Sequence, residues 1–288
     1  MTNDPGERLD IAVKNKIANI SRATANKIIE DGLVKVNSKT ITKSSSKVYK
    51  LDRLQINYHP ESYRLPDIDI PIIFEDENVI VIDKPNGILT HSKGDFNPEA
   101  SIASWLSSRF KNPTTNRSGI VHRLDRLTSG VMIVAKNNQT EIWLKKQFQN
   151  RQVKKTYMAI IEGQLTNDQA IIDLPIERHP KKPQTFRVGH TGKRALTEYL
   201  VNEKTPNFSL IELMPTTGRT HQLRVHLAYL GHPIVGDLLY GGKNADRMYL
   251  HACKLILSLP NQKTREFTSE LPKQFKIYMD HDKPTPKP

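Results

Sequence analysis

Gly119-Ile120-Val121-His122-Arg123-Leu124-Asp125-Arg126-Leu127-Thr128-Ser129-Gly130-Val131-Met132-Ile133-Val134-Ala135 joins two kinds of sequence end to end. The second half, Val131 to Ala135, is apolar and rich in β-branched residues, the composition of a buried strand. The first half crowds a histidine, two arginines and an aspartate into a short loop. An aspartate between arginines ordinarily serves an ion pair; a catalytic carboxylate is the alternative reading.

Upstream, Val79-Ile80-Val81-Ile82 is a second continuous apolar run, expected as a strand covered on both faces. The turn Lys84-Pro85-Asn86-Gly87 ends it. Ile102, Trp105, Leu106 and Phe110 recur at helical spacing, and Leu144 with Phe148 marks another helix. Further strands are expected over 156–161, 195–201, 208–214 and 255–259. Strands outnumber helices and do not alternate strictly with them. The fold class is therefore α+β, with a mixed, largely antiparallel sheet and flanking helices and loops over residues 72–280. Residues 281–288 are Pro-rich and read as a disordered tail. Residues 59–71, with Pro60, Pro66 and Pro71, read as an extended linker.

Residues 1–58 form a separate small module. Ser21 caps a helix over 22–31, and Gly32 suits the left-handed position after it. Leu33-Val34-Lys35-Val36-Asn37 alternates as a strand, Asn37-Ser38 is a turn, and 40–42 and 54–58 are further strands. Arg22 and Lys27 belong to a scatter of cations on this module, which is either a solvated face or a polyanion contact.

The net charge of +13 over 288 residues favours association with polyanions without choosing among RNA, DNA and a membrane surface. The one cysteine, Cys253, rules out a disulfide within the chain and a Cys-based zinc site. No apolar run approaches the roughly 18–20 residues that span a bilayer. The start, Met-Thr-Asn-Asp-Pro-Gly-Glu, lacks the pattern of a signal peptide. A cytoplasmic protein is expected, with no membrane partner and no obligate protein partner evident.

Two other segments carry chemistry. In Gly218-Arg219-Thr220-His221-Gln222-Leu223-Arg224-Val225-His226 a turn feeds a helix whose Leu223 and Leu227 face inward. His221 and His226 are five apart, not the i, i+4 spacing of a metal pair, so pairing with backbone or phosphate is the preferred reading. Lys154-Lys155-Thr156-Tyr157 sets an aromatic at the start of a strand, where most tyrosines are core residues.

Together these segments resemble the RluA-type pseudouridine synthase family over nearly all of residues 72 to 260. The module ahead resembles the alpha-L RNA-binding motif of a small-subunit ribosomal protein, through Arg8-Leu9-Asp10, Ser21-Arg22 and Asp31-Gly32-Leu33-Val34-Lys35-Val36-Asn37, with Ser38 where many members have Gly. The resemblance implies isomerisation of uridine to pseudouridine in structured RNA, with no cofactor and no metal. It implies Asp125 as the catalytic carboxylate, Tyr157 against the target base, Arg219 paired with Asp125, and Leu250 lining the base pocket. It also implies substrate contacts by Arg123, His91, Arg22 and Lys27. The loop Asn86 to Ser92 departs from the family pattern at Asn86 and Ser92. Large-subunit ribosomal RNA is the expected substrate and transfer RNA the alternative.

The chemistry suits these residue types. An aspartate has a reference pKa near 3.9 and is ionised without an activating base. Three routes stay open: attack of Asp125 on the ribose, attack on the uracil ring, or proton abstraction from the ribose. A uridine in a helix must leave the stack to be reached. Arg123 either fills the gap left behind or makes a phosphate contact or ion pair. Two rivals are a non-catalytic RNA-binding protein of the same fold and a glycoside hydrolase. The second rival needs another positioned carboxylate.

Overall fold

The computed structural model describes residues 5–17, 20–58, 67–91, 99–109, 119–260 and 263–283. The expected Phe110 and the tail beyond Lys283 lie outside them, as does most of the expected linker. The described chain divides into two compact units, one drawn from 1–68 and 91–105, the other from 69–90 and 106–288.

The first unit contains β1 (Glu7–Arg8), α1 (Leu9–Lys16), α2 (Arg22–Glu30), β2 (Val34–Val36), β3 (Lys39–Thr40), β4 (Lys47–Val48) and β5 (Leu54–Ile56). Its core is Leu9, Val13, Ile28, Ile29 and Val34, all fully buried. Ser21 caps α2 by accepting the Thr24 N–H at 3.1 Å. Gly32 closes the helix at φ +74°: its own N–H reaches Ile29 O, and Leu33 N–H reaches Ile28 O. Asn37 and Ser38 both have positive φ, +50° and +71°, which makes the β2–β3 connection a two-residue turn of the primed kind. Helix α1 was not expected from its sequence. It lacks a side-chain cap, and only Leu9, Ala12 and Val13 supply an apolar side.

The second unit holds β6 (Ile72–Glu75), β7 (Val79–Lys84), β8 (Ser129–Ala135), α4 (Asn138–Gln149), β9 (Lys154–Glu162), β10 (Gln169–Asp173), β11 (Ile176–Arg178), β12 (Phe186–Val188), β13 (Leu196–Lys204), β14 (Phe208–Pro215), α5 (Gln222–Tyr229), β15 (Leu250–Ser258), β16 (Thr264–Thr268) and α6 (Lys273–His281); the division after Trp105 falls within α3 (Ile102–Arg109). Nine described strands form one sheet in the order β10-β13-β14-β9-β15-β8-β7-β6, with β16 beside the far end of β15. The β8–β15 pairing is parallel and the other pairings are antiparallel.

Alternation on β9 sorts the core into two layers. Ala159 and Ile161 pack with Leu223 and Leu227 of α5, while Met158 and Ile160 pack with Phe275 and Met279 of α6. Strand β8 is buried along its whole length, as its apolar run predicts. Gly130 lets it approach β15: at φ +117°, an added Cβ would sit 2.2 Å from Ala252 O.

Candidate active site

The loop carrying Asp125 is clamped at its base. Ala135 N–H donates to Gly119 O at 2.9 Å, and Ile120 bridges Val134. His122 follows, its Nε2 accepting the Ile133 N–H at 3.1 Å and its ring stacked on Phe148 with centroids 4.6 Å apart. Burial, with the nearby Lys155 charge, lowers the His122 pKa to about 3, so the ring is a neutral structural wedge.

The turn after β7 cradles this loop from below. Thr90 Oγ1 donates to Leu124 O at 2.8 Å, Gly87 N–H to Arg126 O at 2.9 Å, and Asn86 Nδ2 to Leu127 O. Beneath them lies Lys84, fully buried at the end of β7. Its ammonium donates to Pro85 O, Ile88 O and Arg126 O at 2.9, 2.8 and 3.2 Å. Burial pulls its pKa down to about 7, against the opposing pull of Asp125. Three carbonyl acceptors match the three protons of an ammonium group.

Asp125 thereby presents its carboxylate at the floor of an open cleft of about 650 Å³, its side chain 20% exposed. Its Oδ2 accepts a hydrogen bond from Arg224 Nη1 at 3.1 Å. Arg224, in the first turns of α5, also grips Asp237 bidentately, Nε to Oδ2 at 2.7 Å and Nη2 to Oδ1 at 2.8 Å. Arg224 is almost fully buried and Asp237 entirely so. Burial opposes the Arg224 charge, yet the two carboxylates raise its pKa overall. The planar fork is spent on two carboxylates at once, which a lysine cannot do.

The arginine on Asp125 is therefore Arg224 and not Arg219, a correction to the expected pairing. Arg219 lies in the turn before the helix and lines the cleft; its Nε donates to Arg194 O at 3.0 Å. The local fold explains the difference. His221 adopts left-handed backbone angles, φ +56° and ψ +21°, and α5 starts after it. Gln222 Oε1 accepts from both Arg219 N–H and Thr217 Oγ1, fixing the turn. Arg224 then lies within the helix, beside both carboxylates.

The other expected residues divide in two. Tyr157, Leu250 and Arg123 line the same cleft as Asp125. On β9, Tyr157 is in register with Leu213 and Ala252 and packs against the core that includes buried Leu250. Burial, with Asp125 adding to it, raises the Tyr157 pKa, so the phenol keeps its proton. Arg123 is exposed at the rim. Arg22, Lys27 and His91 fall in the first unit. There Arg22 pairs with buried Asp10 at 2.9 Å and Lys27 with Asp31 at 2.5 Å. His226 is tied inward, to Leu174 O and Thr197 Oγ1 at 3.0 Å each, the backbone pairing preferred from its spacing.

His221 stands 3.7 Å from Asp125 Oδ2 through Nε2, and its Nδ1 meets Tyr240 Oη at 2.8 Å. Tyr240 Oη also accepts the Phe186 N–H at 3.0 Å, which fixes the phenol against His221. Sequence reasoning missed Asp237, Tyr240, Lys84 and the role of Arg224. Only Lys84 carried a signal, as a lysine two residues past the apolar run Val79–Ile82.

Fold and site define a class: a mixed-sheet domain with one arginine-held carboxylate in an open basic cleft, accompanied by a small basic module. The chain belongs to the RNA pseudouridylate synthase family, whose model matches residues 78–229; an S4 domain model matches residues 7–52. A "Ribosomal large subunit pseudouridine synthase D" of Borreliella burgdorferi is 36% identical over 95% of this chain and 89% of its own. The protein of that name from Escherichia coli K12 is 35% identical over 90% of this chain and 85% of its own. Among solved structures, human RNA Pseudouridylate Synthase Domain Containing 1 superposes with a TM-score of 0.59 at 26% identity, covering 76% of this chain and 97% of that one. The α+β class is that of these neighbours, and the protein is an RNA pseudouridine synthase that binds RNA. No described helix is long and apolar enough to cross a membrane.

Proposed function

We propose that this protein isomerises specific uridines of large-subunit ribosomal RNA in the cytoplasm, with Asp125 as the reacting carboxylate. The observation that carries the reading is the Asp125 carboxylate itself. Arg224 engages Oδ2, and the group lies at the floor of a cleft walled by Tyr157 and Leu250. The names of the bacterial relatives favour ribosomal RNA over transfer RNA.

The reaction breaks the ribose C1′–N1 bond and makes C1′–C5; the C5 hydrogen leaves as a proton and N1 gains one. The uridine is everted into the cleft, since a stacked base cannot reach Asp125. Asp125 opens the glycosidic bond by attack or by proton abstraction. Tyr157 and Leu250 then hold the detached uracil flat against a water-poor wall while it turns. Arg123, at the rim, occupies the space the base vacates. Arg22 and Lys27 of the N-terminal module, and His91, add hold on the surrounding RNA. The functional divisions run over 1–58, 59–71 and 72–280.

The test uses unmodified transcripts of large-subunit ribosomal RNA and of transfer RNA carrying tritium at uridine C5. Wild-type protein should release tritium from the ribosomal transcript. Asp125→Asn should lower release by roughly three orders of magnitude or more, since the reacting group is removed outright, while RNA binding persists. Near-normal release by that variant would refute the assignment of Asp125, and release from transfer RNA alone would move the substrate.

A further inference from the structure

Beside the Asp125 cleft lies a second cavity of about 1030 Å³, mouth included. Arg123, Lys155, Tyr157 and Arg219 belong to both walls. The far side is the stacked pair His122 and Phe148, with Arg151 at the end of α4. Four cationic side chains therefore line this cavity, and no carboxylate does. Among the described residues none of the four forms an ion pair. Lys155 Nζ has one acceptor, Thr217 O at 3.2 Å, and Arg219 uses only its Nε, on Arg194 O. Lys155 is partly buried, and burial lowers its pKa to about 8. A desolvated cation facing a cavity that holds no acid is electrostatically incomplete until an anion arrives.

Arg151 carries the independent observation. Helices α2, α4 and α5 end in the same double hydrogen-bond pattern, with one residue left-handed just past the cap. In α2 that residue is Gly32 and in α5 Gly231, at φ +74° and +83°. In α4 it is Arg151, at φ +58°, its N–H on Phe148 O and the next N–H, from Gln152, on Gln147 O. An L-residue is strained there, and an arginine gains nothing in backbone terms over glycine. Complementing the helix dipole is an ordinary reason for a cation at a helix end. That reason does not account for Arg123, Lys155 and Arg219 converging on the same cavity from other segments.

We propose that this cavity is a phosphate subsite, taking the backbone phosphodiester adjacent to the uridine held at Asp125, with Arg151 and Lys155 as its principal donors. The shared wall sets this cavity directly beside the cleft that would hold the base. The inference rests on the reading of the neighbouring cleft as the uridine site.

The experiment compares full-length wild type with Arg151→Asn and Arg151→Gly, both tolerant of the left-handed backbone. Each is assayed for melting temperature, for binding to the large-subunit transcript across a salt series, and for tritium release from it. The subsite predicts an unchanged or higher melting temperature with a salt slope lower by about 0.7, the value for one single-strand phosphate contact. It predicts KM up roughly tenfold at unchanged kcat, because a remote phosphate contact is made equally before and during the reaction. An unchanged slope and KM overturn the subsite and leave Arg151 a helix-end residue. A wild type that binds the transcript without releasing tritium strikes the isomerase reading instead, and the subsite is then decided by the slope alone.

Discussion

Asp237→Asn removes the support of the active-site arginine without touching the cleft. Asp237 is 1% exposed and takes two hydrogen bonds from Arg224, at 2.7 and 2.8 Å. An asparagine offers one oxygen and one NH2, so one guanidinium N–H would oppose an amide N–H. A charge-assisted bond is lost and the buried guanidinium keeps Asp125 as its sole carboxylate partner. Breaking a buried pair costs about 3–5 kcal/mol. The surviving Asp125 bond at 3.1 Å brings the expected loss to the lower end, about 3 kcal/mol. That corresponds to a fall in Tm of about 6–12 °C. The guanidinium, no longer gripped from behind, recentres on Asp125 and turns the carboxylate. A displacement of about 1 Å at a reacting group costs on the order of a hundredfold in rate. Single-turnover tritium release should therefore drop about a hundredfold with KM little changed, because Asp237 does not line the cleft. Calorimetry reads the stability half of the prediction. Wild-type kcat together with wild-type Tm would show that Asp237 does not hold Arg224 and would refute the reasoning.

Two further substitutions check other parts of the structure. Ser38→Gly should stabilise the N-terminal module by about 0.5–1 kcal/mol, since relief of the left-handed strain at φ +71° exceeds the extra entropy glycine gives the unfolded chain. Denaturant unfolding that shows a loss instead would mean the turn has another conformation. His122 should make the protein acid-sensitive: its folded pKa of about 3 lies below the ordinary value of 6.5, chiefly through burial. The unfolded chain takes the proton first, so the stability this ring contributes is present above pH 6.5 and lost as pH falls toward 3. His122→Gln should flatten the stability profile over that window relative to wild type, and parallel profiles would count against a buried neutral ring.

Much of the fold was legible because burial on both faces writes itself as an unbroken apolar run. Strands β7 and β8 were read from Val79–Ile82 and Val131–Ala135 for that reason. Strands β10, β11, β12 and β16 were not read: each is short and has at least one exposed position. Helix α6 has its signal, Phe275 and Met279 one turn apart, but these are the only two fully buried residues of the helix, with half-buried Tyr278 packed beside them. Arg178 to Pro183 reads as a rigid basic loop, and in the structure it is the end of β11 with the turn into β12.

The site was legible as a set of segments and not as a set of bonds. Asp125 sits between Arg123 and Arg126 in the chain, yet forms an ion pair with neither; Arg126 turns to Gly87 O. The choice between Arg219 and Arg224 depends on where α5 begins, and that is decided by the left-handed His221 and the Gln222 hydrogen bonds. Neither Arg224 nor Lys84 is a lone buried charge. Arg224 divides three donors between Asp125 and Asp237, and Lys84 gives its protons to three carbonyls under the loop. Both devices spend cationic donors on immobilising acceptors before any substrate arrives. In the reaction proposed for it, the Asp125 carboxylate would then have little orientational freedom left to lose in the transition state, which is where preorganised sites gain their rate.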